Sequence, residues 1–169
     1  MLVRKGGIMK ELSSYIINYE TLLIIPYIED EKKKVIKSKI FEVDDEFIVA
    51  KNPFDIISDS CLFFGSSFDG RREGTKNLIN CEIKVPIIIE DSKNLIFFPT
   101  SSYRSNRNIW VSYKNLITYK KYDLDSTLFK FIGNNDIKVN VKYNIVDNQI
   151  IRCIKLNDVI NKRKMIKSE

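Results

Sequence analysis

The sequence predicts an α+β protein, mainly antiparallel β-sheet, with a buried central helix at about 53–65 and a C-terminal helix at about 144–163. Short β-branched and aromatic runs separated by turn residues occupy most of the chain, which is typical of antiparallel strands. Two segments instead carry apolar residues at helical spacing. We expect a single domain at 15–163, preceded by a flexible segment at 1–14 and followed by a tail at 164–169.

The first sixty residues predict four strands. Residues 15–17 and 21–28 are β-branched and aromatic, and the polar residues 18–20 between them indicate a hairpin. Residues 35–43 alternate irregularly between apolar and polar side chains, as in a half-buried strand. A fourth short strand is predicted at 46–50.

The central helix has a clear predicted start and end. Asn52 is a good N-cap, and Pro53 suits the first helical position because its missing N–H is not needed there. Apolar residues follow at spacings of three and four, at Phe54, Ile57, Cys61 and Phe64. Gly65 then suits the residue that closes a helix C-terminus. Beyond it we expect a turn at Asp69-Gly70 and a second, short helix at 71–80.

The remainder of the chain predicts more strands and the final helix. The predicted strands are 85–89, 95–98, 109–111, 116–122, 127–132 and 136–142, with a hairpin turn at 133–135. Asn144 and Asp147 have the spacing of a capping box at the start of the last helix. We expect its buried stripe to consist of Ile150, Ile151, Ile154, Val159 and Ile160.

Composition and charge restrict the function. The chain carries a formal charge of +6, and residues 61–169 alone hold 19 basic and 11 acidic residues, which favours a polyanionic partner such as nucleic acid. There is no histidine, which excludes a Ser-His-Asp triad and a Cys/His zinc site. The chain has no phosphate-binding glycine motif, so we expect no cofactor. Three unpaired cysteines and the lack of a long apolar run predict a cytoplasmic protein without a membrane partner.

Six basic residues are the candidates for contacting such a partner. Three follow the central helix, two lie in the acid-free polar loop at 100–108, and one follows the predicted strand at 109–111. They are Arg71, Arg72, Lys76, Arg104, Arg107 and Lys114. Arginine forks match phosphate oxygens and base edges. The alternative for each residue is an ordinary solvated surface charge.

Two other functions are compatible with the residues. Asp55 with Glu82 and Lys84 has the residue types of a Mg²⁺-dependent nuclease. An acid in the first turn of a helix is also expected simply for the helix dipole, however. The other alternative is a protein-interaction module whose basic face binds an acidic partner.

Four segments resemble the ComK family, the competence transcription factors of low-GC Gram-positive bacteria. They are CLFFGSSFDGRREGTK at 61–76, PIIIE at 86–90, FFPTS at 97–101 and IWVS at 109–112, and the similarity runs from about residue 15 to about residue 156. The resemblance implies an activator that binds paired A·T-rich promoter boxes through the minor groove and switches on DNA-uptake genes. It also implies a homodimer or tetramer on nucleoid DNA and, as partner, RNA polymerase.

The resemblance does not assign the residues that touch DNA, so the six candidates rest on their charge and position alone. Relatives commonly continue with a longer C-terminal tail through which regulated proteolysis acts. This sequence ends at Glu169, so we expect that route of control to differ.

Overall fold

A computed structural model describes residues 9–32 and 34–166. Parts of the predicted flexible segment and tail, at 1–8 and 167–169, lie outside the described residues. The elements in chain order are β1 (Glu11–Leu12), β2 (Thr21–Asp30), β3 (Val35–Glu42), β4 (Glu46–Val49), α1 (Pro53–Phe63), α2 (Phe68–Ile79), β5 (Ile87–Glu90), β6 (Leu95–Pro99), β7 (Trp110–Ser112), β8 (Leu116–Lys121), β9 (Thr127–Phe131), β10 (Asn135–Val139) and α3 (Tyr143–Lys164).

The strands form two sheets, which confirms the predicted α+β class. The larger sheet has the strand order β1-β4-β3-β2-β7-β6-β5, and its neighbours are antiparallel apart from β1 and β4. The smaller sheet is antiparallel in the order β10-β9-β8. The predicted turn at 133–135 joins β9 to β10, and Gly133 there has a left-handed φ of 72°.

Two apolar clusters lie on opposite faces of the larger sheet. Phe97 and Trp110 pack with α1 and the start of α2, whereas their chain neighbours Phe98 and Val111 pack with the smaller sheet and α3. This separation follows from the alternation of side chains along a strand. Both faces of the central strands are therefore buried, which places function on the loops and outer surfaces.

The start and end of α1 are as predicted. The Asn52 side chain accepts a hydrogen bond from the Asp55 amide at 3.0 Å, and Pro53 occupies the first helical position. At the C-terminus Gly65 has a φ of 87°, its amide donates to Leu62 O at 3.0 Å, and the Ser66 amide donates to Cys61 O at 3.0 Å. These two bonds form a Schellman motif.

The predicted turn at Asp69-Gly70 is wrong. Helix α2 begins at Phe68, and the Ser67 hydroxyl caps it by accepting from the Gly70 amide at 3.0 Å. Phe68 is buried, with its ring 5.0 Å from those of Phe54 and Tyr103. The packing of this aromatic ring and a good N-cap together outweigh the turn tendency of the Asp-Gly pair.

The predicted strand at 15–17 is also wrong. Ile17 is fully buried, but its amide donates to the Ser60 hydroxyl of α1 at 3.0 Å instead of to a neighbouring strand. The Tyr15 hydroxyl donates to Glu42 at 2.5 Å. Side-chain partners thus replace a strand ladder here. Within the segment expected to be flexible, β1 pairs with β4.

The start and buried stripe of α3 differ from the prediction. The helix begins at Tyr143 without a side-chain cap, and Asp147 accepts from the Tyr119 hydroxyl at 2.7 Å instead of completing a capping box. Ile151 and Ile154 are exposed; the buried residues are Val146, Gln149, Cys153, Leu156 and Ile160. Gln149 can be buried because its amide donates to Lys84 O and Pro99 O.

Candidate nucleic-acid interface

The three candidates on α2 are already paired with acids. Arg72 lies 3.0 Å from a Glu73 carboxylate oxygen, and Lys76 lies 3.4 Å from Glu73 and 2.9 Å from Glu82. The hydrogen bond to Glu82 is the main cause of the raised pKa of Lys76. A phosphate that approached these cations would compete with carboxylates already in place.

Arg71 is oriented towards the protein. Its side chain is only 18% exposed and lies 3.9 Å from Asp91, in the turn between β5 and β6. Burial raises the pKa of the Cys61 thiol to about 11, and the positive charge of Arg71 lowers it in part. This position favours a structural contribution from Arg71, in the contact of α2 with the larger sheet.

The polar loop, predicted at 100–108, joins β6 to β7 and spans residues 100–109 in the structure; its hydroxyls and amides hold its own shape. Asn108 Oδ1 accepts from the Thr100 and Ser101 amides at 3.0 Å each. The Ser102 and Ser105 hydroxyls accept from the amides of Arg104 and Arg107 at 3.4 and 3.2 Å. The two serines thus act as a scaffold for the two arginines.

Arg104 and Arg107 are exposed, uncompensated cations of the polar loop; Lys114, elsewhere in the fold, is also exposed without an ion-pair partner among the described residues. Neither arginine side chain has a carboxylate partner among the described residues. The Arg104 guanidinium lies 5.2 Å from the Tyr103 ring centre, and that of Arg72 lies 5.5 Å from the same ring. The tyrosine therefore brings the polar loop and α2 together, with two cations on one aromatic side chain.

Arg107 faces a cleft of about 540 Å³ between the polar loop and the two sheets. The cleft is also lined by Pro26 and Ile28 of β2 and by Lys138 of β10. Its lining includes no acidic residue. The cleft therefore places Arg107 of the polar loop and Lys138 of the small sheet on one acid-free opening.

Lys114 lies apart from the polar loop. It follows β7, whereas the polar loop precedes it, so the two are at opposite ends of that strand. Its Nζ lies 5.1 Å from the ring centre of Tyr19, which also has Lys93 at 4.9 Å. The structure therefore does not bring Lys114 together with Arg104 and Arg107.

The outer face of the small sheet carries three lysines, none of which is among the six sequence candidates. Lys120 and Lys138 both pair with Leu128 of the middle strand, and Lys130 occupies the next outward position on that strand. Directly paired residues share a face, with strands about 4.8 Å apart. Lys138 lies 3.4 Å from Asp123 and Lys130 is directly paired with Asp136 of β10, whereas Lys120 has no carboxylate partner among the described residues. The alternation of buried and exposed residues along β9 and β10 was the sequence signal for Lys130 and Lys138.

The residues of the nuclease alternative are engaged elsewhere. Asp55 accepts from the Asn52 side chain at 2.7 Å, and Glu82 pairs with Lys76. No group of three metal-ligating side chains occurs among residues 9–32 and 34–166. In the same residues, no helix has the length and apolar character to span a membrane.

Comparison with known proteins gives two positive findings. A competence transcription factor from Bacillus subtilis (strain 168) is 34% identical to this chain over 141 residues, which cover 83% of this chain and 72% of the relative. No solved structure matches. The model of the ComK protein family matches residues 12–165. The chain therefore belongs to the ComK family.

Proposed function

We propose that this protein is a transcriptional activator of competence genes that binds A·T-rich promoter boxes through the DNA minor groove. The observation that carries the proposal is the ComK family match over residues 12–165, together with the relative's name. The geometry adds support, because the polar loop presents two arginines whose charge nothing in the described chain compensates.

In this proposal the polar loop enters the minor groove. Runs of A·T pairs have a narrow, electronegative minor groove that attracts inserted arginines. Arg104 and Arg107 would read that potential, and Lys120 and Lys130 on the small sheet would contact backbone phosphates beside it. The cleft lined by Arg107 and Lys138 connects these two regions.

The other candidates receive lesser parts in the proposal. Arg72 would support the polar loop through Tyr103 and reach phosphate only at its edge. Lys76 and Arg71 would contribute weakly, since their carboxylate partners must first give way. Lys114, at the other end of β7, would contact DNA only where the duplex bends around the protein.

The proposal includes partners. Paired boxes on one promoter imply two or four copies of this chain, and activation implies a contact with RNA polymerase at nucleoid DNA in the cytoplasm. Analytical ultracentrifugation of the free protein and of its complex with a two-box duplex would count the copies. One copy per duplex would contradict the assembly.

The test of DNA recognition uses three duplexes of one length and a fluorescent label. One contains A·T-rich boxes, one replaces them by G·C pairs, and one replaces each A·T by inosine·cytosine. Inosine lacks the guanine amino group, so an I·C pair resembles A·T in the minor groove and G·C in the major groove. We expect the A·T and I·C duplexes to bind alike and the G·C duplex to bind more weakly.

Equal affinity for all three duplexes, or binding that does not weaken as salt is raised, would contradict the proposal. If I·C binds as weakly as G·C, recognition takes place in the major groove. The nuclease alternative predicts Mg²⁺-dependent cleavage that Glu82→Ala abolishes. The protein-interaction alternative predicts no DNA binding even at low salt.

A further inference from the structure

A cavity of about 250 Å³ lies between the start of α1, strand β3 and the polar loop. Six of its lining residues carry the argument: Asn52, Phe54, Tyr103, Arg104, Asn108 and Trp110. Asn108 is 2% exposed and Trp110 is fully buried. The Nδ2 amide of Asn108 and the Nε1–H of Trp110 are both buried without a hydrogen-bond partner.

Both unpaired groups are donors in fixed orientations. Asn108 Oδ1 accepts from two backbone amides, which an amide nitrogen cannot do, so its Nδ2 must be the free end. The indole nitrogen of tryptophan donates and never accepts. Buried donors are normally satisfied, and two unpaired donors on residues that line one small cavity point to a missing acceptor. An acceptor that reached them would break no existing hydrogen bond.

The remaining lining defines the chemistry of that acceptor. Arg104 supplies one positive charge, and no acidic residue lines the cavity. The cavity also borders Asn52 and Pro53, at the positive end of the α1 dipole, although Asp55 in the same turn offsets part of that field. Phe54, Tyr103 and Trp110 provide flat apolar walls. The volume is below that of a typical drug-sized site, which limits the ligand to about one ring.

We propose that this cavity binds a small planar anion: one aromatic ring carrying a carboxylate or phosphate group. The oxyanion accepts from Asn108 Nδ2 and Trp110 Nε1 and balances Arg104, and the ring lies against the aromatic walls. The ligand is a free small molecule, so the proposal does not rest on the proposed DNA-binding function.

The test uses the full ¹⁵N-labelled chain. Trp110 is the single tryptophan, so the protein has one indole N–H signal, located at the cavity. The probes are benzoate, phenyl phosphate and inorganic phosphate, with acetate at equal ionic strength as the anion without a ring. We expect benzoate or phenyl phosphate to move the indole and Asn108 side-chain signals downfield and to saturate. Acetate and inorganic phosphate should bind at least tenfold more weakly.

Matched variants separate this site from general anion binding. Arg104→Ala removes the cavity's cation, whereas Arg107→Ala removes a cation of the same loop that does not line the cavity. We expect the first to weaken aromatic-anion binding at least fivefold and the second to leave it unchanged. Asn108→Asp, which keeps the acceptor that holds the polar loop, should weaken binding more than tenfold by calorimetry, and the backbone amide spectrum checks its fold.

An indole signal that does not move, or that moves linearly and equally with acetate, would overturn the proposal. So would equal losses in the Arg104→Ala and Arg107→Ala variants. Failure of DNA binding with a saturating benzoate shift would contradict the proposed function and support the cavity.

Discussion

Replacing Arg104 and Arg107 together by alanine tests which cations contact DNA. Neither side chain has a carboxylate partner among the described residues, so each is free to neutralise one phosphate or enter the groove. Each phosphate contact contributes about 0.9 to the slope of log affinity against log salt, so the double variant should lose about 1.8. When the salt concentration rises fourfold, the DNA affinity of the double variant should then fall about twelvefold less than that of the wild-type protein.

Fluorescence anisotropy with the A·T duplex at five salt concentrations measures that slope. The matched control is Lys10→Ala with Arg163→Ala, which removes two exposed cations that belong neither to the polar loop nor to the lining of the cavity and cleft beside it. A second comparison is Lys76→Ala, whose charge Glu73 and Glu82 already hold, and which should change the slope by less than half a unit. An unchanged slope in the Arg104 and Arg107 variant, or an equal change in the control, would refute the reasoning.

Three further predictions concern the fold and its dependence on pH. Asn52→Ala removes the α1 cap and should cost about 1 kcal/mol in urea unfolding; no loss would contradict the capping role. Gly133→Ala should destabilise by more than about 1 kcal/mol, since φ is 72° and a Cβ would lie 2.6 Å from Val43, whereas Gly74→Ala, with open space inside α2, should stabilise by roughly 0.5–1 kcal/mol. Equal effects of the two would refute the backbone argument. The pKa of Glu90 is lowered to about 2, mainly by the hydrogen bond from the Ser92 hydroxyl. The ionised Glu90 carboxylate therefore contributes fully to folding stability above about pH 4.5, and this contribution is lost as the pH falls towards 2. Glu90→Gln should therefore reduce the loss of stability across that range, and an unchanged acid transition would contradict it.

Capping and turn residues in the sequence correctly predicted those elements whose ends depend on nearby residues alone. The start of α1 depends on Asn52 and Pro53, and its end depends on Gly65, all within a few residues of the bonds they make. The hairpin around Gly133 likewise depends on a residue that accepts a left-handed backbone. Short-range physics is enough for such features, so the sequence is sufficient to find them.

Two of the failed predictions share a long-range cause. Ile17 is apolar and β-branched like a strand residue, yet its amide partner is the Ser60 hydroxyl, 43 positions away. The buried stripe of α3 includes Gln149 and excludes Ile151, because backbone carbonyls at Lys84 and Pro99 satisfy the glutamine amide. A hydropathy pattern contains no information about hydrogen-bond partners that are distant in the sequence and come close only in the folded chain.

The candidate interface likewise combines features that the sequence predicts with features that depend on tertiary contacts. The sequence determined that the later two thirds of the chain are basic, that Arg104 and Arg107 lie in an acid-free loop, and, through its motifs, the family. Only the tertiary structure decided which cations are free. Glu73 and Glu82 compensate Lys76, β7 separates Lys114 from the polar loop, and strand pairing puts Lys120 and Lys138 in one row. Charge is a property of the residue, but its availability depends on which side chains folding brings within reach.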